Sequence, residues 1–99
     1  MVARYTKSKV ADRDIEHITA HSFSNFGKRQ TIKYMDGLAE LLQLLADHPK
    51  CGHTFIHSKT GKVYLHYPYV SHVIYYRQRR SDIFIVRILH KRMLPEKHL

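Results

Sequence analysis

The chain has 99 residues, 43% of them apolar, and 17 Lys/Arg against 8 Asp/Glu give it a formal net charge of +9. That length suits one domain over residues 1–99 and excludes a linker with a second core. The lone cysteine, Cys51, excludes an internal disulfide and favours a reducing cytoplasm, and neither a signal peptide nor a membrane span is expected from MVARYTKSKV or from any later apolar run.

Ala3 to Lys7 is short and centred on Tyr5, consistent with a first strand. Ser8 is placed to cap a helix from about Lys9 to Ser24, with Val10, Ile15, Ile18 and Phe23 broadly on one side. Gly27 is placed to end that helix in a left-handed conformation. Lys28 to Asp47 carries the strongest helical pattern despite Gly37 in its interior. Ile32, Met35, Leu38, Leu42 and Leu45 follow i, i+3 and i+4 spacing, and Tyr34, Leu41 and Leu44 widen the stripe. Pro49 stops the helix near His48. A stripe that wide is hard to cover with one neighbour. Most of it suits a helical hairpin packed on one face of a sheet. The functional alternative leaves part of it, including Tyr34, Leu38, Leu41 and Leu45, as an open groove for another chain.

Phe55 to Thr60 shows no clear pattern, and Gly61 marks a turn. Lys62 to Tyr67 alternates Val63, Leu65 and Tyr67 against Tyr64 and His66, as an antiparallel strand should. Ser71 to Arg77 and Ile83 to His90 are rich in Val, Ile, Tyr and Phe, and Gln78 to Asp82 joins them as a hairpin turn. IFIVRIL is apolar at almost every position, which predicts a strand inside the sheet with something packed on each face. Arg87 interrupts it. Its guanidinium either reaches the sheet rim or presents charge from a concave surface.

Charge is unevenly placed. Residues 1–50 hold 8 Lys/Arg and 6 Asp/Glu, a net +2, whereas residues 51–99 hold 9 and 2, a net +7. The acids of the first half all fall in the two predicted helices, so the strands and tail are nearly uncompensated. Such a field attracts polyanions or an acidic partner, although a basic protein without either would carry the same balance. Nine histidines add positive charge at mildly acidic pH. His17 and His21 stand four apart on the first helix, but no third ligand lies nearby in sequence, so a surface pair is the better reading than a metal site. Thr60-Gly61-Lys62 lacks the upstream glycine of a P-loop, and no cofactor motif is present.

Catalytic patterns are weak. Ser71 and His72 are neighbours on a strand and point to opposite faces, which places them badly as nucleophile and base. The candidate functional cluster is Arg77, Arg87, His90, Lys91 and Arg92: Arg and Lys could bind phosphates, and His90 could transfer a proton.

SHVIYYR, then IVRILHKRM, then a short end in HL resembles the ParE branch of the RelE/ParE toxin superfamily, with DHPKCG at the place of its Pro-containing loop. The resemblance implies an α+β fold in the order β-α-α-β-β-β, with the helical hairpin on one face of a small, mainly antiparallel sheet. It implies the toxin of a bacterial type II toxin–antitoxin system that inhibits DNA gyrase without catalytic residues or a cofactor. It also implies an acidic, partly disordered antitoxin and a toxin–antitoxin hetero-oligomer. The alternative is a ribosome-dependent mRNA endonuclease of the RelE kind. RelE-like relatives use basic residues with a C-terminal Tyr or His; here no tyrosine follows Tyr76, and LHKRMLPEKHL is closer to the ParE pattern. A basic nucleic-acid-binding module is a third reading, without a recognised motif to support it.

Overall fold

The computed structural model describes residues 3–99; Met1 and Val2 of the N-terminal segment lie outside them. Strand β1 (Tyr5–Lys7) leads into helix α1 (Lys9–Asp47), followed by a 3-10 turn at Pro49–Cys51. Strands β2 (His53–Ile56), β3 (Val63–Tyr69), β4 (His72–Gln78) and β5 (Ile83–His90) come next, and a second 3-10 turn spans Pro95–Lys97. The sheet order is β1-β5-β4-β3-β2. β1 runs parallel to β5, and the other neighbours pair antiparallel. The architecture is therefore α+β, with four strands after the helical region rather than three. The additional strand is β2, which overlaps the start of the segment that had no readable pattern. It is a short edge strand with three of its four residues exposed, so little burial disciplines its sequence.

Ser8 caps α1 as expected, its Oγ accepting from the Ala11 amide at 2.9 Å. The same hydroxyl donates to the Val86 carbonyl at 2.7 Å, which fixes the start of the helix against β5. α1 is broken at Gly27, where φ is 84° and ψ is 176°. That region of backbone space is open in practice to glycine alone. Across the break, Thr31 Oγ1 donates to the buried Ser22 Oγ at 3.0 Å, so the two arms lie against each other as a hairpin. Gly37, an interior helical glycine, has a packing reason. The Tyr69 ring rests on it, and a Cβ there would collide with the Tyr69 hydroxyl. That hydroxyl donates to the Tyr34 carbonyl at 2.7 Å.

Ala11, Ile18, Leu38, Leu42, Leu45 and Ala46 of α1 meet Ile74, Tyr76, Ile83, Ile85 and Ile88 of the sheet in one core. β5 lies between β1 and β4, as its apolar run predicts. Its register shifts once: Tyr75 pairs with Arg87 but Tyr76 pairs with Ile85, leaving Val86 as the extra residue of a bulge. The bulge changes which parity faces the helix. Ile83 and Ile85 enter the core before it, and Ile88 enters after it. Arg87 is thereby put on the other parity, and an arginine can occupy an apolar strand without entering the core.

Tyr64, Tyr75 and Leu89 are buried outside this main core. The C-terminal segment is tied down beside them. His57 Nε2 bonds the Glu96 carbonyl at 3.0 Å, and the Ser58 amide donates to Glu96 Oε1 at 3.1 Å. His57 Nδ1 accepts from the Lys59 and Thr60 amides, so Nε2 carries the proton and donates.

Helix propensity and packing conflict at Gly37, which gives a test. Propensity alone favours Gly37→Ala by about 1 kcal/mol. The Tyr69 hydroxyl must then move and give up its bond, so the substitution should instead cost about 1–2 kcal/mol in urea denaturation. Adding Tyr69→Phe should recover most of that loss. A Gly37→Ala variant more stable than the parent would contradict the packing account.

Candidate functional site

β1 covers β5 only from Ile83 to Ile85, so the outer edge of β5 from Val86 onward needs other partners. α1 supplies them. Beyond the Ser8 bond to Val86, Asp14 Oδ2 accepts from the Ile88 amide at 3.0 Å, one helical turn and a half further on. The same carboxylate takes Arg87 in a two-pronged pair, Nε to Oδ2 at 2.8 Å and Nη2 to Oδ1 at 2.9 Å. Arg87 Nη1 donates to the His98 carbonyl at 3.0 Å. One arginine thus ties the first arm of α1, β5 and the C-terminal segment together. Their side chains are only 18% and 11% exposed, and the hydrogen bond to Asp14 raises the Arg87 pKa further above its ordinary value.

Next to this knot runs a groove of about 660 Å³ between the helical hairpin and the end of β5. Its floor and walls include Ile18, Tyr34, Ile88 and His72, with Phe26 and Val70 at its rim. Phe26 is 66% exposed and Val70 62%, which is large apolar surface beside a concavity. His17, His21 and His90 line it as well. Tyr34 Oη lies 2.7 Å from His72 Nδ1, and the His72 and His90 rings meet edge to face with centroids 5.4 Å apart. Burial lowers the His72 pKa, and His90 and His21 lower it further against the opposing pull of Asp14. The neutral imidazole is therefore favoured, accepting from the Tyr34 hydroxyl, whose own pKa burial raises. Among the described residues no group of three His, Cys, Asp or Glu is arranged to hold a metal ion.

The expected target-facing residues divide. His90, Lys91 and Arg92 follow one another, exposed, at the end of β5 beside the groove. The Lys91 amide donates to the Ser71 carbonyl at 2.9 Å, and the Arg92 amide to His90 Nδ1 at 3.1 Å, so the backbone of this segment is held. Arg77 is not with them. It pairs with Phe84 near the opposite end of β5, six residues or about 20 Å from His90. Arg87 does not present its charge outward; of its two possible uses, the pairing at the sheet rim is the one realised.

The four residues expected to line a groove for another chain also divide. Leu38 and Leu45 are 2% and 0% exposed and belong to the chain's own core, so they offer no open surface. The sheet covers more of the helical stripe than its width alone suggests. Leu41 is half-buried against the same core, and Tyr34 lines the groove. Asp14 and the exposed pair Phe26 and Val70 carry no mark of this role in the sequence. Asp14 is one acid among several on an amphipathic helix, and nothing local in sequence marks its distant partner.

A family model described as ParE toxin of type II toxin–antitoxin system, parDE, matches residues 5–95. Toxin ParE1 of Caulobacter vibrioides is 30% identical over 95 residues, which cover 96% of each chain. In structure, the chain superposes on a chain of the chromosomal ParDE TA system from P. aeruginosa with a TM-score of 0.72 at 16% identity, over 90% of this chain and 96% of that one. The structural match supports the arrangement of hairpin and sheet.

Removing Arg87 leaves Asp14 without its charge partner at a mostly buried site. Arg87→Ala should cost about 3 kcal/mol in chemical denaturation, and Arg87→Lys should recover only part of it. A loss below about 0.5 kcal/mol, the scale of an ordinary surface change, would show that the knot does not hold the fold.

His72 gives the chain a pH dependence of definite sign. The unfolded chain takes up a proton near pH ~6.5, whereas the folded chain resists protonation until lower pH. Stability should be highest above that pH and fall as pH drops below it. His66, also lowered by burial, acts in the same direction. His72→Gln should flatten part of the slope in melts between pH 7.5 and 5, and an unchanged slope would remove His72 as its source.

Proposed function

The chain belongs to the ParE toxin family of type II toxin–antitoxin systems, and on that membership we propose that it inhibits DNA gyrase and is neutralised by a cognate antitoxin. It does so by binding, without covalent chemistry of its own. The observation that carries this reading is the juxtaposition at the end of β5. A groove with exposed apolar side chains adjoins His90, Lys91 and Arg92, and the Asp14–Arg87 knot fixes the strand from which they project.

Each part has a role. His90, Lys91 and Arg92 form the target-facing surface, presented by a strand inside the sheet and therefore held in a fixed place. Arg87 supports that surface from behind, through Asp14 and His98. Arg77, at the far end of β5, is not part of it. The groove takes an apolar segment of the antitoxin, with Tyr34, Phe26 and Val70 as principal contacts. Complete burial of a side chain such as Phe26 contributes roughly 1.5–3 kcal/mol. His90 and Met93 line the same groove, so an occupant would cover the approach to Lys91 and Arg92. Neutralisation is then occlusion. The chain's +9 charge favours rapid encounter with an acidic partner, while apolar burial holds the complex.

Lys91 and Arg92 are exposed, and among the described residues neither has a carboxylate partner, so Lys91→Ala/Arg92→Ala should fold and melt like the parent. The variant should lose most inhibition of growth and of gyrase supercoiling, yet still co-purify with antitoxin. A folded variant with full toxicity would displace the target-facing surface from this segment.

A further inference from the structure

The opposite end of β5 carries a second basic surface that the groove and its neighbouring segment do not use. Arg77 near the end of β4 and Arg79 and Arg80 in the turn that follows are all exposed, and Phe84 lies beneath Arg77 and Arg79. Arg79 is held by Asp82 through Nε at 2.7 Å and Nη2 at 2.6 Å. Asp82 also accepts from Thr6 Oγ1 at 2.7 Å, which fastens the turn to β1. The Arg79 guanidinium carbon sits 4.6 Å from the Phe84 ring centroid, and that of Arg77 sits 5.9 Å from it. Arg4 is exposed at the same end, its carbonyl accepting from the Ile83 amide.

We propose that this braced arginine turn binds the phosphodiester backbone of duplex DNA. Asp82 compensates Arg79 alone of these three arginines. Among the described residues Arg77 and Arg80 have no acidic partner, and they stand on either side of Arg79, whose partner Asp82 is itself bonded to Thr6. Guanidinium groups match phosphate oxygens in two-pronged geometry, and holding them in place lowers the ordering cost of binding. The type of nucleic acid follows from the aromatic ring. Single-strand binders need open aromatic faces on which bases stack, and here arginine lies over Phe84. What remains available is charge, which suits a duplex backbone with one phosphate charge per about 1.7 Å of axis. The surface is separated from the groove by most of the length of β5, so the inference stands apart from the antitoxin and gyrase reading.

The test is fluorescence anisotropy of a labelled 20-base-pair DNA duplex with the full chain, across a salt series. The parent should bind with an affinity that falls steeply with salt. Arg77→Ala/Arg80→Ala should weaken binding about tenfold or more at low salt and reduce the salt slope by about two. Its melting temperature and its antitoxin complex should match the parent's. Equal affinity and slope for variant and parent would overturn the proposal. So would loss of binding on Lys91→Ala/Arg92→Ala alone, because that places the DNA contact at the other end of β5. Tighter binding to an RNA duplex or to single-stranded DNA would overturn the assignment to duplex DNA.

Discussion

Asp14 accepts three hydrogen bonds at the open edge of β5: two from Arg87 and one from the Ile88 amide. The other features of the functional end depend on this carboxylate. A strand edge not covered by β1 would otherwise expose an unpaired amide, and an arginine in an apolar strand would otherwise lack a counter-charge. Both needs are met by one helical side chain more than 70 residues away in sequence. Because Arg87 also donates to the His98 carbonyl, the C-terminal segment is anchored to the same point. A buried ion pair is not by itself strong evidence of stability, since desolvation opposes its attraction. Here its consequence is positional. It sets where the first arm of α1, the end of β5 and the tail lie relative to one another.

The groove follows from that placement. With the first arm of α1 held against β5, the hairpin's far end stands over the β3–β4 turn, and the space between them stays open. Tyr34 bridges part of it by bonding His72, and burial keeps that imidazole in its neutral form. An apolar rim, the half-buried His72 and a short exposed basic segment therefore share one end of the molecule. A partner that fills the concavity would lie against the exposed basic segment. Under the proposed function, an antitoxin would silence the chain by competing for this adjoining surface, with no rearrangement of the fold required.

Most of the fold was readable in the chain. Ser8 as cap, the break at Gly27, the long amphipathic second arm and the apolar β5 all correspond to strong local signals, and the structure contains each of them. β2 was not readable because an edge strand with exposed side chains carries little period-2 pattern. The site was harder. His90, Lys91 and Arg92 are contiguous, so sequence alone places them together. Arg77 was joined to them by likeness of charge, but hairpin pairing sends it to the other end of β5. Leu38 and Leu45 belonged to a stripe whose width suggested spare surface, and only the packed sheet shows that both are consumed by the core. Arg87 was visible as an anomaly, whereas its resolution by Asp14 depends on a bulge at Val86 and a contact between distant segments.

On the proposed function, this chain acts on gyrase through the basic end of β5 and does not cut RNA with it. The most direct measurement applies one preparation of the purified chain to two assays in parallel: supercoiling of relaxed plasmid by gyrase, and integrity of mRNA on translating ribosomes. Dose-dependent loss of supercoiling, relieved by antitoxin, is the expected result, with mRNA left intact. Intact supercoiling together with cleaved mRNA would contradict it and assign the chain to the RelE-like alternative.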